Sequence, residues 1–376
     1  MDKVSMNNAE IKVSVIIPVY NTGEFLRPAL DSVIDQTLRE IEIICVDDGS
    51  TDRSLDILKE YQKADERIRI VTETNAGPAL ARNNGIRRAR GEYIAFLDAD
   101  DFFELDMLEK LYLEAEANDL DIVVSDYDIY NSHRAVFTKA APAEHEEIFD
   151  GVSVTSKNEH PDSIFTSTNG AAWNKLFRTS FVIDKGLSFL PDVKLYEDVY
   201  FVICALSLAQ RVGKVHNVLL HHRVYSEQFR ARQFKKYYAQ VPEIYGKLKR
   251  FLMSTGMYAP LSDAFSNLTA SRCYKIYNFL GSDAKGHFWD LLHEGAAETL
   301  GWHGGSLTVY EDIEVCEFAA SVEMFTHKQY KRRLSKGQSL RMDNISRTLR
   351  KAKQRKRMLG FFGRIVPIGK KKSKTK

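Results

Sequence analysis

The sequence predicts an α/β protein with a mostly parallel sheet flanked by helices, then a helical region and a basic tail. Three observations carry that expectation. Short runs of β-branched and aromatic residues recur at 13–18, 41–46, 68–73 and 93–97, with helical patterns between them. Such alternation builds parallel strands joined by right-handed crossovers. The runs end in Tyr20 and Asn21, in Asp47 and Asp48, and in Asp98 and Asp100. A parallel order places these residues on one edge, where open α/β sheets bind ligands. From about Ser226 to His327 the periodicity is helical, and beyond it the composition turns basic.

Taken in order, residues 13–18 (VSVIIP) read as a buried strand that Pro18 should end, because proline cannot serve a central ladder. A helix follows over about 23–36, with Phe25, Leu26, Ala29, Leu30, Val33 and Ile34 at helical spacing and Asn21 or Thr22 as its cap. Residues 41–46 (IEIICV) form the second strand. Gly49 turns the chain, and Ser50, Thr51 or Asp52 caps the helix running to Tyr61. The third strand, 68–73, leads through Asn75–Ala76–Gly77 into a helix at 78–90, where proline at the start is compatible. Residues 105–117 read as a helix, 121–130 as a strand, and 131–163 as a polar, irregular insertion. Residues 171–182 mix aromatics and bases without a clear period. A buried helix runs to Ala209, and 212–225 has strand character.

The bulk numbers exclude several classes. There is no apolar run of about 18 residues, so no membrane span is expected. The first residues lack the apolar core of a secretion signal. Cys45, Cys204, Cys273 and Cys316 are widely spaced, without metal-ligand spacing, and read as reduced thiols of a cytoplasmic protein. The net charge of +2 hides an asymmetry: residues 328–376 hold 19 Lys or Arg and one acid, Asp343, leaving −16 on the rest. A basic tail asks for an anionic partner. Within 345–376, Leu359, Phe361, Phe362, Ile365 and Val366 sit among cations, which suits an interfacial membrane segment too short to span. An anionic membrane is preferred over nucleic acid, and a solvated tail is the plain alternative.

Candidate chemistry sits in a few clusters. Asp98 and Asp100, two apart after a buried strand, can aim hard oxygen ligands at one Mg²⁺ or Mn²⁺ ion with a diphosphate; alone, so short a pair is more often a solvated turn. Asp101 reads as a helix-capping acid. Asp47 and Asp48 can accept hydrogen bonds from a base or ribose, or simply cap a turn. Glu197 and Asp198 at a helix start can act as base, or as N-terminal acids. Arg82 can neutralise phosphate or stay solvated. His222, beside His221 and Arg223, can complete a metal site or meet phosphate; His216 is a further histidine of the same strand. Trp173 can wall a sugar ring or fill the core.

Together the stretches VSVIIPVYN (13–21), VDDGSTD (46–52), NAGPALARNNGI (75–86), RGEYIAFLDADD (90–101), WNKLF (173–177) and YEDV (196–199) resemble family 2 glycosyltransferases of the GT-A fold, over roughly residues 12–225. The resemblance is closest to bacterial enzymes of capsule, exopolysaccharide and lipopolysaccharide assembly. It implies a catalytic domain at 1–225, and periodicity and charge then divide the rest into a helical region at 226–327 and a basic amphipathic tail at 328–376. It implies an inverting, metal-dependent transfer from a nucleotide-diphosphate sugar, a UDP-sugar being favoured, to a glycan or lipid-linked acceptor. Pro18, Tyr20, Asn21, Glu24, Asp47 or Asp48 and Arg82 match donor-contacting positions. Asp98 matches the ribose or metal edge and Asp100 the metal ligand. Asp198 matches the base, with Glu197 beside it. His221-His222-Arg223-Val224-Tyr225-Ser226 departs from the family's usual Y-R-x(n)-S pattern, which leaves the third metal ligand open with His222 as its candidate. A lipid-linked acceptor and the basic tail imply a site on the inner face of the cell membrane. A nucleotidyltransferase would begin with a Gly- and Arg-rich phosphate loop, which Pro18-Val19-Tyr20-Asn21 is not. A non-catalytic sugar-binding scaffold is the remaining alternative.

Overall fold

The structure is a computed structural model and describes residues 10–224, 235–296, 299–302, 310 and 312–337. Its first half follows the expected alternation: β1 (Val13–Val19), α1 (Leu26–Ile34), β2 (Ile41–Asp47), α2 (Ser54–Ala64), β3 (Ile68–Thr72), α3 (Pro78–Ile86) and β4 (Tyr93–Phe96). These strands lie side by side and parallel in the order β3-β2-β1-β4. β1, β2 and β4 are almost wholly buried and rich in Val and Ile, the composition of a sheet covered on both faces. Each such side chain contributes about 1.5–3 kcal/mol by leaving water.

β1 continues through Pro18 to Val19 rather than ending at the proline. Ile16 accepts from Leu97 on the β4 side and Val19 from Asp48 on the β2 side. By that alternation Pro18 faces the β4 side, where β4 has already ended at Phe96, so its missing N–H costs no ladder bond.

The second half is mixed. β5 (Phe102–Phe103), α4 (Met107–Ala117), β6 (Ile122–Asn131) and β7 (Val136–Lys139) precede β8 (Lys175–Arg178) and α5 (Thr179–Asp184). Then come α6 (Glu197–Leu208) and the long β9 (Val212–Val224). The unassigned stretch 171–182 therefore holds a strand and a helix. β8 enters antiparallel between β4 and β6, and β6 runs parallel to β9. β9 also pairs with β5, setting His221 opposite Phe102. This register brings the His-His-Arg run beside the carboxylates that follow β4.

Chain contacts divide into one unit ending at Phe265 and a second beginning at Ser266. In the first, α7 (Val241–Ser254) packs on α6 through Tyr196 against Tyr245 and Tyr200 against Phe251. The expected helical region is thus partly built into the first unit. α8 (Ser262–Phe279) runs across that division, and the second unit holds α9 (Ser282–Leu291), α10 (Ile313–Met324) and α11 (His327–Ser335), with Trp289 stacked on Tyr330 at 4.3 Å. Among the described residues no helix is long and apolar enough to cross a membrane. The segment 345–376 lies outside them.

One close approach sets the site. A Cβ on Gly85 would fall 2.3 Å from Ile16 Cγ2, so α3 lies directly on β1. Arg82, one turn earlier, shares that inward face, which explains its burial. Gly85→Ala should destabilise the fold by about 1–3 kcal/mol through overpacking. A urea titration checks this, and an unchanged midpoint would show that α3 has room to move.

Candidate functional site

The carboxylates after β4 gather through a turn rather than an extended strand. The amide of Asp101 donates to the Asp98 carbonyl at 2.9 Å. Asp98, Asp100 and Asp101 consequently offer oxygens that all lie within 4.8 Å of one another. Asp101 is not the expected helix cap: α4 begins six residues later, at Met107, with Asp106 at its N-cap. Asp101 is fully buried instead, facing His222 Nδ1 at 3.0 Å and accepting from the Arg223 amide at 2.7 Å. Burial pushes its carboxyl above the usual range, against the opposing pull of His222.

β9 supplies the other wall. His222 joins the carboxylate group through Asp101 and stacks on Trp173 at 5.3 Å. Trp173 is buried against His222 and Tyr127, so it supports the site from the core. His221 is clamped between Glu104 (2.8 Å) and Asp128 (2.7 Å). Arg223 donates from Nε to the Asp100 carbonyl at 2.7 Å, with its guanidinium among the rings of Phe25, Phe102 and Tyr130.

Arg82 connects this edge to the Glu197–Asp198 pair. It is 4% exposed and reaches Asp98 at 2.6 Å, Asp198 at 3.0 Å and Glu197 at 3.3 Å. Burial alone would lower its pKa, but Asp198, Asp98 and Glu197 outweigh that and raise it. A phosphate could reach this guanidinium only by exchanging with a carboxylate. Asp198 and Glu197 open α6 from Tyr196, a non-glycine residue in the left-handed region (φ 60°). Such conformations persist where surrounding structure imposes them. Burial pushes the Asp198 carboxyl up to about 7, with Glu197 and Asp98 adding and Arg82 and the Ala172 amide opposing.

The loops after β1 and β2 hold each other. Asn21, also left-handed (φ 52°), accepts from the Thr51 amide at 2.8 Å instead of capping α1. Both oxygens of the buried Asp48 accept backbone amides, from Ala76 at 2.7 Å and Gly77 at 2.8 Å. Asp47, also buried, accepts from the Ser50 amide. Pro18 is half-buried, Tyr20 at the end of β1 is 48% exposed, and Glu24 is exposed beside a groove lined by Gly23, Arg27, Asp52, Arg53 and Ile57.

The donor set fits a hard divalent ion. Asp98, Asp100, Asp101, Glu197 and Asp198 outnumber the guanidiniums of Arg82 and Arg223, and three of them present convergent oxygens. A second convergent group, Asp126, Glu146 and His216, differs because the Lys214 ammonium already meets both of its carboxylates.

Residues 14–180 match the family model described as glycosyl transferase family 2. EpsH of Bacillus subtilis (strain 168), a protein named as a glycosyltransferase, is 33% identical over 267 residues, spanning 69% of this chain and 76% of that one. The chain belongs to glycosyl transferase family 2. This glycosyltransferase is also 34% identical over 210 residues to the poly(ribitol-phosphate) beta-glucosyltransferase of Bacillus spizizenii, covering 54% of this chain and 31% of that protein. Its fold resembles the crystal structure of S. aureus TarS 1–349 in complex with UDP-GlcNAc (TM-score 0.69, 18% identity, 88% and 93% of the two chains). That likeness is one of fold and fits the GT-A architecture.

Sequence reasoning missed the inclusion of Asp101 among the convergent carboxylates and the part of Lys175, which is wholly buried at the start of β8. The adjacent third acid was a readable signal for the first; a lysine directly after Trp173 and Asn174 in the WNKLF stretch was the signal for the second. Arg82→Ala should cost about 3 kcal/mol, because it strands buried carboxylates without their cation. Calorimetry should show a Tm several degrees lower; an unchanged Tm would mean that the carboxylates rehydrate freely.

Proposed function

We propose that this glycosyltransferase is an inverting hexosyltransferase. In this reading it moves a sugar from a UDP-sugar to a glycan or lipid-linked acceptor in cell-surface polysaccharide synthesis. The observation that carries the proposal is the single guanidinium of Arg82 joining Asp98, on the donor edge, to Asp198 at the start of α6. The names of relatives point the same way: one is a poly(ribitol-phosphate) beta-glucosyltransferase, and the TarS neighbour was crystallised with UDP-GlcNAc.

Tyr20, with Pro18, Asn21 and Glu24, flanks the base of the donor. Of the acidic pair Asp47 is the better base contact, since both oxygens of Asp48 hold the 76–77 turn. Asp98 serves the ribose and, with Asp100, the ion; Asp101 fixes His222, the candidate third ligand, by its Nδ1. A bound Mg²⁺ or Mn²⁺ supplies the positive charge that offsets the charge growing on the leaving diphosphate. Arg223, stiffened by its aromatic surround, offers its guanidinium to the phosphates. Asp198 accepts the proton of the acceptor hydroxyl as that oxygen attacks the anomeric carbon from the face opposite the diphosphate. A carboxylate with a pKa near 7 is well matched to this task. Glu197 shares Arg82 and keeps Asp198 from being neutralised by it alone.

With Asp198 protonated below about 7, kcat/KM should rise with pH through neutrality and level off above it. Asp198→Asn should remove that limb and lower turnover about 10²–10⁴-fold with UDP binding retained. A pH profile across UDP-, GDP- and dTDP-sugars with Mn²⁺ checks both the base and the donor. Retained turnover in the variant removes Asp198 from the base role.

The same reading puts the protein on the inner face of the cell membrane, held peripherally by residues 345–376. Deleting them should abolish sedimentation with anionic vesicles. Unchanged binding would remove the tail from that role.

A further inference from the structure

The NAGPALARNNGI stretch holds a buried polar residue that has no place in the chemistry above. Asn83 follows Arg82 on α3 and is 7% exposed. Its side chain meets the backbone of one distant residue twice. Nδ2 donates to the Phe189 carbonyl at 2.8 Å, and Oδ1 accepts from the Phe189 amide at 2.8 Å. Both peptide groups of Phe189 are thus satisfied by a side chain of α3, as a neighbouring strand would satisfy them. A carboxamide offers the donor and the acceptor on one group, which neither a carboxylate nor an apolar side chain of that size does. Phe189 itself lies in the connection between α5 and α6, outside any regular element.

The Phe189 ring carries this clamp into the site. It is wholly buried and stacks on Phe201 of α6, with ring centroids 4.2 Å apart and planes within 4°. It meets Phe96, the last residue of β4, edge-on at 5.1 Å. The Arg82 guanidinium lies over the same ring, 5.2 Å from its centroid. A cation so placed is attracted to the ring face, which leaves its N–H groups for the carboxylates. Phe201 sits one turn beyond Glu197 on α6. Phe189 therefore touches α3, the end of β4 and the first turns of α6, the elements that carry or adjoin Arg82, Asp98 and the Glu197–Asp198 pair.

We infer that Asn83 is a positioning residue: by clamping the Phe189 backbone to α3 it seats the Phe189 ring against both the Arg82 guanidinium and Phe201, and so sets how Arg82 meets the start of α6. The inference rests on the roles of Asp98 and Asp198 proposed above. Asn83 touches no reacting group, and its effect passes through Phe189 and Arg82. Arg82 has three carboxylates within 3.3 Å and can turn toward any of them. The ring is the wall that fixes how it lies among them. Without the clamp the connection shifts, the ring slides on Phe201, and the guanidinium settles on fewer carboxylates. The loops after β1 and β2 are held by Asn21 on Thr51 and by Asp48 on Ala76 and Gly77, contacts that do not involve Phe189. Loss of the clamp should therefore reach the chemical step before it reaches the nucleotide.

Steady-state kinetics with calorimetric binding of UDP test this. In Asn83→Leu, which keeps the volume and loses both bonds, kcat should fall about tenfold or more while the Kd for UDP stays within about threefold of wild type, as for a misplaced catalytic group. The deciding measurement is a double-mutant cycle with Arg82→Lys. If Asn83 acts through Arg82, the double variant should lose little more kcat than Arg82→Lys alone; two losses that multiply overturn the inference. Phe189→Leu, which keeps the backbone bonds of Asn83 and removes the ring, should give the same split and the same coupling. It decides the question alone if Asn83→Leu does not fold. An unchanged kcat in a folded variant also overturns the inference, as does a fall in UDP affinity that matches the fall in kcat, which marks general loosening. If Asp198→Asn retains turnover, the base assignment fails instead. The coupling between Asn83 and Arg82 is read without reference to Asp198, so the two failures are told apart.

Discussion

The site depends on one buried guanidinium. Arg82 lies on the sheet-facing side of α3 because Gly85 lets that helix rest on Ile16, and from there it meets Asp98, Glu197 and Asp198. A buried charge of this kind is costly alone and becomes tolerable only when carboxylates surround it. Here those carboxylates come from positions about a hundred residues apart. Removing the cation would leave the Asp98 edge and the start of α6 repelling each other, so the same contact is a constraint on the fold and on the distance between the proposed donor edge and the proposed base.

The remaining features adjust that contact. Tyr196 enters α6 in a left-handed conformation, which fixes where Asp198 begins its helix. β9 brings His222 and Arg223 to the turn at Asp98 by pairing with β5. Asp101, buried and bound to both, converts an acidic turn into a joint between β4 and β9. Charge excess is the result: carboxylates outnumber guanidiniums on an edge that matches a diphosphate and a divalent ion, while the comparable group at Asp126 is neutralised by Lys214. That contrast distinguishes the two acidic groups more firmly than the spacing of acids does.

Much of this was legible in the sequence where periodicity and order carry the information. The four parallel strands and the shared edge of Tyr20, Asp47 and Asp98 follow from alternation alone, and the structure has them there. The family was legible too, since several short motifs recur in one order. What was not legible depends on partners distant in the chain. Pro18 stays in β1 only because β4 stops at Phe96 on the side it faces. Asp101 looked like a cap because its true partners, His222 and Arg223, lie on β9. Asn21 was read as a cap for α1, but its side chain accepts amides from the next loop. β8 escaped because a four-residue strand with a buried lysine matches no simple period.

The proposed chemistry requires donor and ion at the ends of β1, β2 and β4. A crystal structure of the protein with UDP and Mn²⁺, with anomalous data at the manganese edge, measures this directly. The predicted result is one manganese peak in coordination contact with Asp100 and Asp98, bridging to the diphosphate, with the uracil beside Tyr20. A peak at Asp126, Glu146 and His216 instead, or UDP bound away from the ends of β1, β2 and β4, would contradict it.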